Sequence, residues 1–215
     1  MNIHDIIVSR RSIRKYNDKP VHRQTINQII AAGMWAPTAC NKQEYRFIYL
    51  QDKETLNQLT ALGTAHFVKD CNQAILVLYD NRIDNLEYRD DILSAGAIIQ
   101  NMLLQAAQLQ VATCWVCNLP SKASLRKLLD IPPSYDPIAL ITLGYTDNTP
   151  QQVARKHTLD EVVFTDRFDR SQDKTQAKSG IKLFVRKRLR QIYIRLPKTA
   201  FLKKLVDRYE KKFDN

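Results

Sequence analysis

The chain has 215 residues, 44% of them hydrophobic and 26% charged, a length and balance that suit one sizeable globular domain and exclude a disordered or fibrous polypeptide. Its formal charge of +11 is segregated: residues 178–215 carry 13 Lys and Arg against 3 Asp and Glu, net +10, so residues 1–177 are near neutral, and nucleic acid is not expected as a partner. The opening MNIHDIIVSRR places an acid ahead of a very short apolar run, the reverse of a secretory leader, and the longest apolar stretch, Ala74 to Tyr79, is far below the roughly 18 residues of a membrane span; a cytoplasmic protein is expected.

Ile3, Ile6 and Ile7 recur at helical spacing after Asn2 and predict a short first helix that stops near Arg10. Ser12 to Tyr16 reads as extended. A second helix is expected from Thr25 to Trp35 through Ile26, Ile29, Ile30 and Met34, with Pro37 ending it and residues 36–43 forming a loop. Tyr45 to Leu50 and Ala74 to Tyr79 read as strands, the second apolar on both faces like a central strand, with a polar helix around residues 53–62 between them. Asp90 to Gln110 is the longest helical pattern and is apolar nearly all round, which places it in a core or a dimer seam. Ala112 to Val116 and Ile138 to Leu143 are two further strands, separated by a helix from Ser121 to Leu129 that stops before Pro132 and Pro133. Helices and strands alternate, as in an α/β or α+β sandwich.

Four cysteines, Cys40, Cys71, Cys114 and Cys117, include one CxxC spacing. With no second pair and no nearby His, a metal site is not indicated, and because Cys114 to Cys117 continue a strand pattern, buried or pocket-lining thiols are expected rather than a redox turn. Only five glycines occur, so neither GxGxxG nor a P-loop can form, and any nucleotide phosphate must be held by side chains. HExxH and GxSxG are also missing.

The densest candidate for binding chemistry is Arg10, Arg11, Ser12 and Arg14. If this segment is extended, its period-two geometry sends Arg10, Ser12 and Arg14 to one side as a row of donors for an anion; a solvated basic turn is the alternative. A second cluster, Ala36 to Gln43, offers short side chains, free backbone donors and two amides after a helix, a set suited to the edge of a flat heterocycle, although a plain polar turn has the same composition. Trp115 and Asn118 lie at a strand end and either border that pocket or serve as core and cap.

In chain order, four strings resemble the nitroreductase-like flavoproteins. SRRSIRKY matches that family's RRSxRxF/Y opening, APTACNKQ resembles its APSAxNxQPW loop, AGAIIQNMLLQAAQLQVATCW resembles its central helix and GLGxCW strand, and LGYTDNTPQQVARKHTLDEVV resembles its closing LGYP and RKPLEEVV segment. The resemblance implies an α+β fold, a three-layer α/β/α sandwich with a mixed, mainly antiparallel sheet and a long central helix. It also implies an obligate swapped homodimer with two FMN sites at its seam. The implied FMN-binding set is Arg10, Arg11, Ser12, Arg14, Pro37, Thr38, Ala39, Asn41, Gln43, Trp115, Val116 and Arg155. Within it Arg10, Ser12 and Arg155 hold the phosphate, and Arg14 lies by the pyrimidine edge. Pro37, Thr38, Ala39 and Asn41 come from the partner chain, braced by Gln43, while Trp115 and Val116 line the ring. The activity implied is hydride transfer from NADH or NADPH through flavin N5 to a small conjugated acceptor, a nitroaromatic, quinone or related molecule, in a ping-pong cycle with no protein acid, base or nucleophile. The alternative is a flavin-binding relative that acts on one metabolite without such turnover.

Glu44 and Tyr45 stand where the family loop has Pro and Trp, and Gln110, Val111 and Ala112 replace Gly-Leu-Gly before the strand, which bears on substrate scope. The expected organisation is an FMN-binding domain over residues 1–165, a linker over 166–179 and a basic amphipathic helical tail over 180–215 without a family counterpart. That tail suits an anionic membrane surface, making the protein peripheral to the membrane, or else packs its apolar faces on the dimer.

Overall fold

The computed structural model describes residues 2–82, 85–151 and 153–169. The first helix, α1 (Ile3–Ser9), starts at a reciprocal cap in which the Asp5 N–H donates to Asn2 Oδ1 (3.0 Å) and the Asn2 N–H donates to Asp5 Oδ2 (3.2 Å). There follow α2 (Arg23–Met34), a 3-10 turn (Ala39–Asn41), β1 (Tyr45–Leu50), α3 (Lys53–Ala61), a second 3-10 turn (His66–Asp70) and β2 (Gln73–Asp80). The rest of the first unit is α4 (Asp90–Gln108), β3 (Ala112–Val116), α5 (Lys122–Leu129) and β4 (Tyr135–Gly144).

The four strands form one antiparallel sheet in the order β1-β2-β4-β3. Antiparallel pairing decides between the two classes left open by alternation alone: the fold is α+β. The central strand β2 is buried along its whole length, and its side chains divide by parity. Ile75, Val77 and Tyr79 join Ile26 and Ile29 of α2 and Ile98, Ile99 and Met102 of α4 in one core, whereas Ala74, Leu76 and Leu78 join Leu56 and Leu59 of α3 and Leu125 of α5 in another. Each fully buried Ile or Leu contributes about 1.5–3 kcal/mol, so a strand apolar on both faces is stable only with helices over both. α2 lies so close on α4 that a Cβ at Gly33 would come within 2.6 Å of Met102 Cγ.

Some boundaries differ from the expectation for physical reasons. β4 begins at Tyr135 rather than Ile138, running through Pro137, and the register with β2 shifts between Val77 and Leu78, where the missing proline N–H is accommodated by a bulge. α4 ends at Gln108 because the chain turns at Gln110, which has φ 57°. The 3-10 turn at His66–Asp70 has no periodic signal of its own and was not expected.

The chain divides into two units at residue 150, the second described over residues 151 and 153–169. In the second, Thr158 N–H donates to Glu161 Oε2 (3.1 Å) at the start of a turn, and the Phe164 and Phe168 rings meet at a 41° tilt with centroids 4.5 Å apart. The basic tail and most of the segment expected as a linker lie outside the described residues. Among the described residues, no helix is long and apolar enough to cross a membrane.

Candidate functional site

The segment after α1 is extended, as its alternation predicts. Arg10 caps α1 with φ −57° and ψ 128°, Ser12 forms a parallel bridge with Thr113 on the outer edge of β3, and the Ile13 N–H donates to the Thr113 carbonyl (2.8 Å). Arg10, Ser12 and Arg14 then project to one side and Arg11 to the other. Electrostatics place the same three residues around one neighbour. Burial pushes the Cys114 thiol up, while the charges of Arg14 and Arg10 and a hydrogen bond with Ser12 pull it down. The Arg14 guanidinium also lies 5.9 Å from the Phe67 ring centroid, within cation–π range. Two cations and a hydroxyl on one side of a strand edge form a donor set fit for a phosphate.

On β3, alternation splits the two ring-lining candidates. Trp115 faces α4, its Cη2 3.9 Å from where a Cβ on Gly96 would stand, and remains 36% exposed. Val116 is buried in the opposite core with Cys114, so only its backbone is offered at the strand edge. The same strand carries the start of the CxxC spacing. Cys114 lies within β3 and Cys117 one residue beyond its end. Cys114 is buried and Cys117 exposed, both as free thiols.

The loop from Ala36 to Gln43 is tightly wound. Cys40, Asn41 and Gln43 all have positive φ (49°, 53° and 55°), a conformation costly for residues other than glycine and sustained only by surrounding bonds. Those bonds are present: Asn41 N–H donates to Thr38 O (2.9 Å), Gln43 N–H to Thr38 Oγ1 (3.2 Å), and Gln43 Nε2 to Asn41 Oδ1 (3.0 Å). Ala39 N–H donates to Ser94 Oγ (3.1 Å), and Lys42 N–H to Ala39 O (3.1 Å). The free backbone donors expected from the sequence are therefore largely consumed inside the loop, and what it presents outward is the exposed Pro37, the half-buried Thr38 and Ala39, and the Asn41 side chain. Ser94 itself is a supporting residue that sequence reading missed, since it lies 55 positions from Ala39 and no local pattern links them.

Ser94 and Gly96 are two residues apart on α4, about 200° around the helix. The loop and Trp115 thus sit on opposite flanks of α4, and a single first unit brings the Arg10–Ser12–Arg14 row and Trp115 to the β3 edge without gathering the loop to them. Arg155 lies in the second unit and is exposed.

The nitroreductase family profile matches residues 7–62 and 55–145, from the last turn of α1 through the end of β4. The chain belongs to the nitroreductase family. This nitroreductase-family chain is 31% identical over 144 residues to an Archaeoglobus fulgidus protein described as an NADH dehydrogenase/NAD(P)H nitroreductase, covering 65% of the chain and 83% of the relative. It is 27% identical over 158 residues to a Bacillus subtilis FMN reductase [NAD(P)H], covering 65% of the chain and 64% of the relative. Its fold is similar to that of a Desulfovibrio desulfuricans structure described as a nitroreductase in complex with FMN, with a TM-score of 0.64, 29% identity, and coverage of 78% of this chain and 98% of the other.

Proposed function

We propose that this nitroreductase-family protein is an FMN-dependent NAD(P)H oxidoreductase that reduces a small conjugated acceptor in a ping-pong cycle. The observation that carries the reading is the Arg10, Ser12 and Arg14 row along the outer edge of β3, a one-sided line of donors suited to an anionic nucleotide in a chain with no glycine-rich nucleotide loop. Bound there, FMN supplies the hydride-accepting and hydride-donating chemistry. The protein's part is to bind and orient. Arg10 and Ser12 grip the phosphate, and Arg14 sets a positive charge beside the ring's pyrimidine edge, where it favours an anionic reduced state. Trp115 walls the ring on the α4 side and Val116 contributes backbone.

The α4 flank separating the loop from Trp115 supports a second chain in the site. In this reading two chains form a swapped homodimer of three-layer α/β/α sandwiches, and Pro37, Thr38, Ala39 and Asn41 of one chain complete the site of the other. Exposed apolar residues on α1, α2 and α4 (Ile3, Ile7, Met34, Trp35 and Leu93) fit such a seam.

Purified protein is expected to be yellow, with flavin bands that bleach under anaerobic NADH or NADPH and return on addition of a quinone. A colourless protein that fails to retain added FMN would overturn the cofactor assignment, and retained flavin inert to both nicotinamides would overturn the activity. Arg14→Ala is expected to weaken FMN binding by about 10- to 100-fold, the worth of a charge-assisted contact, read by quenching of flavin fluorescence.

A further inference from the structure

The loop from Ala36 to Gln43 is anchored at both ends and at its centre. It is entered from α2, which is docked on α4 through the close approach of Gly33 to Met102 and through the Asn101 Nδ2, which donates to the Ala32 carbonyl (3.3 Å). It leads into β1, where the Asp80 N–H donates to the Glu44 carbonyl (3.0 Å). Between these ends the half-buried Ala39 donates its N–H to Ser94 Oγ (3.1 Å), so the centre of the loop is tied to α4. Ser94 is itself buried on the second turn of this helix, and its hydroxyl oxygen is the acceptor that the Ala39 N–H finds.

Ala39 opens the 3-10 turn in which Cys40 and Asn41 adopt φ of 49° and 53°. Residues other than glycine stay in that region only where their surroundings over-determine it. The bonds from Asn41 and Gln43 back to Thr38 shape the loop but move with it, whereas a bond to α4 fixes where it stands. Without the Ser94 hydroxyl, the Ala39 N–H loses that acceptor, and the strained turn can relax, carrying Thr38, Ala39 and Asn41 with it. Ser94 also lies about 200° around α4 from Gly96, the residue beside Trp115. It therefore faces away from the tryptophan of its own chain's site and toward the loop that, in the shared site, serves the other chain.

We infer that Ser94 is a positioning residue that acts in trans: its hydroxyl holds the Ala39 N–H of its own chain and so places Thr38, Ala39 and Asn41 against the flavin bound on the partner's row. The inference rests on the reading that two chains share each FMN site. No atom of Ser94 touches the flavin; its effect travels through one backbone bond, and it falls on the site of the other chain rather than on its own.

The test uses two differently tagged full chains, one Ser94→Ala and one Arg14→Ala, co-expressed so that the mixed dimer carrying both tags can be isolated and titrated with FMN by fluorescence quenching. Ser94→Ala alone is expected to weaken FMN by about 3- to 10-fold at both sites. In the mixed dimer, action in trans puts both defects into one site and leaves the other with an intact row and an intact loop, so one site per dimer is expected at native affinity. Action within the chain would spread the defects over both sites. A mixed dimer with no site at native affinity, or a Ser94→Ala protein that binds FMN as the native protein does, overturns the inference. Ser94→Thr keeps the acceptor and is expected to bind FMN within about twofold of native; a loss equal to that of Ser94→Ala overturns the role of the hydroxyl. If Ser94→Ala does not yield folded protein, Ser94→Cys, a weaker acceptor, takes its place in the mixed dimer with the same expectation. A second mixed dimer, Asn41→Ala with Arg14→Ala, separates this failure from that of the underlying reading. If it shows one native site and the Ser94 mixture does not, only the role of Ser94 fails; if neither shows one, or no mixed dimer forms, the shared site is wrong and the inference falls with it.

Discussion

Cys71 lies at the foot of β2 with its thiol donating to the Val68 carbonyl at 3.0 Å, and burial pushes it up to about 12. A thiol that stays protonated and sealed is a poor nucleophile at any ordinary pH. Native protein treated with iodoacetamide at pH 8 is therefore expected to leave Cys71 unmodified, with labelling only after denaturation; mass spectrometry of tryptic peptides reads the result, and modification of Cys71 in folded protein contradicts the packing. At this scale the sequence was informative where chemistry is local. The alternation of Arg10, Ser12 and Arg14 on an extended segment was legible because period two follows from the strand itself. The division of Trp115 from Val116 obeys the same rule, yet only the sheet shows which side carries α4. Tyr16 stood inside the recognised SRRSIRKY string, but Thr142, whose Oγ1 lies 2.6 Å from its hydroxyl, did not.

Among the elements, α5 shows how a helix is anchored. It starts at Ser121, whose Oγ accepts the Ser124 N–H at 3.1 Å, and it is tied to β4 by Asp136. Asp136 is buried; Arg126 Nη2 donates to its carboxylate at 2.6 Å, Asn81 Nδ2 at 3.2 Å, and Lys122 Nζ pairs with its other oxygen. Burial alone would push Asp136 up, but the hydrogen bonds from Lys122 and Asn81 and the charges of Lys122 and Arg126 outweigh it and hold the carboxyl below its ordinary value. A depressed folded-state value stabilises the protein above the ordinary carboxylate range near pH 4. That contribution is lost as pH falls through the depressed value. Asp136→Asn is expected to cost about 1–3 kcal/mol at pH 7 and to flatten the fall of Tm below about pH 4, measured by calorimetry across pH. A mutant whose acid limb parallels that of the native protein would show that the pair contributes no pH-dependent stability. Element positions were mostly legible: β1 and β3 match their expected bounds, and α3, α4 and α5 differ by one or two residues. The early start of β4 was hidden because Pro137 argues against a central strand, and the bulge that accommodates it exists only in the pairing with β2.

At the scale of the whole molecule, exposed apolar side chains on three helices demand a cover. Trp35 at the end of α2 is 88% exposed, Leu93 of α4 64% and Ile3 of α1 63%, large values for residues of this size in a folded chain. Under the proposed assembly the native protein is expected to sediment at about twice the 24.9 kDa chain mass. Trp35→Glu is expected to shift it toward monomer and lose FMN in parallel, because the loop that follows Trp35 completes the partner's site. A monomer that still retains FMN would refute the shared site.

The sequence by itself determined the kinds of element, their order and the one-sided alternation of Arg10, Ser12 and Arg14, because helix and strand periods and the geometry of short motifs are properties of neighbouring residues. Only the tertiary structure decided that the sheet is antiparallel in the order β1-β2-β4-β3, that the loop spends a backbone donor on Ser94, and that Tyr16 meets Thr142. Each of these depends on which of many chemically equivalent partners distant in the chain, 126 residues away in the case of Tyr16 and Thr142, is brought within about 3 Å, and no local pattern encodes that choice.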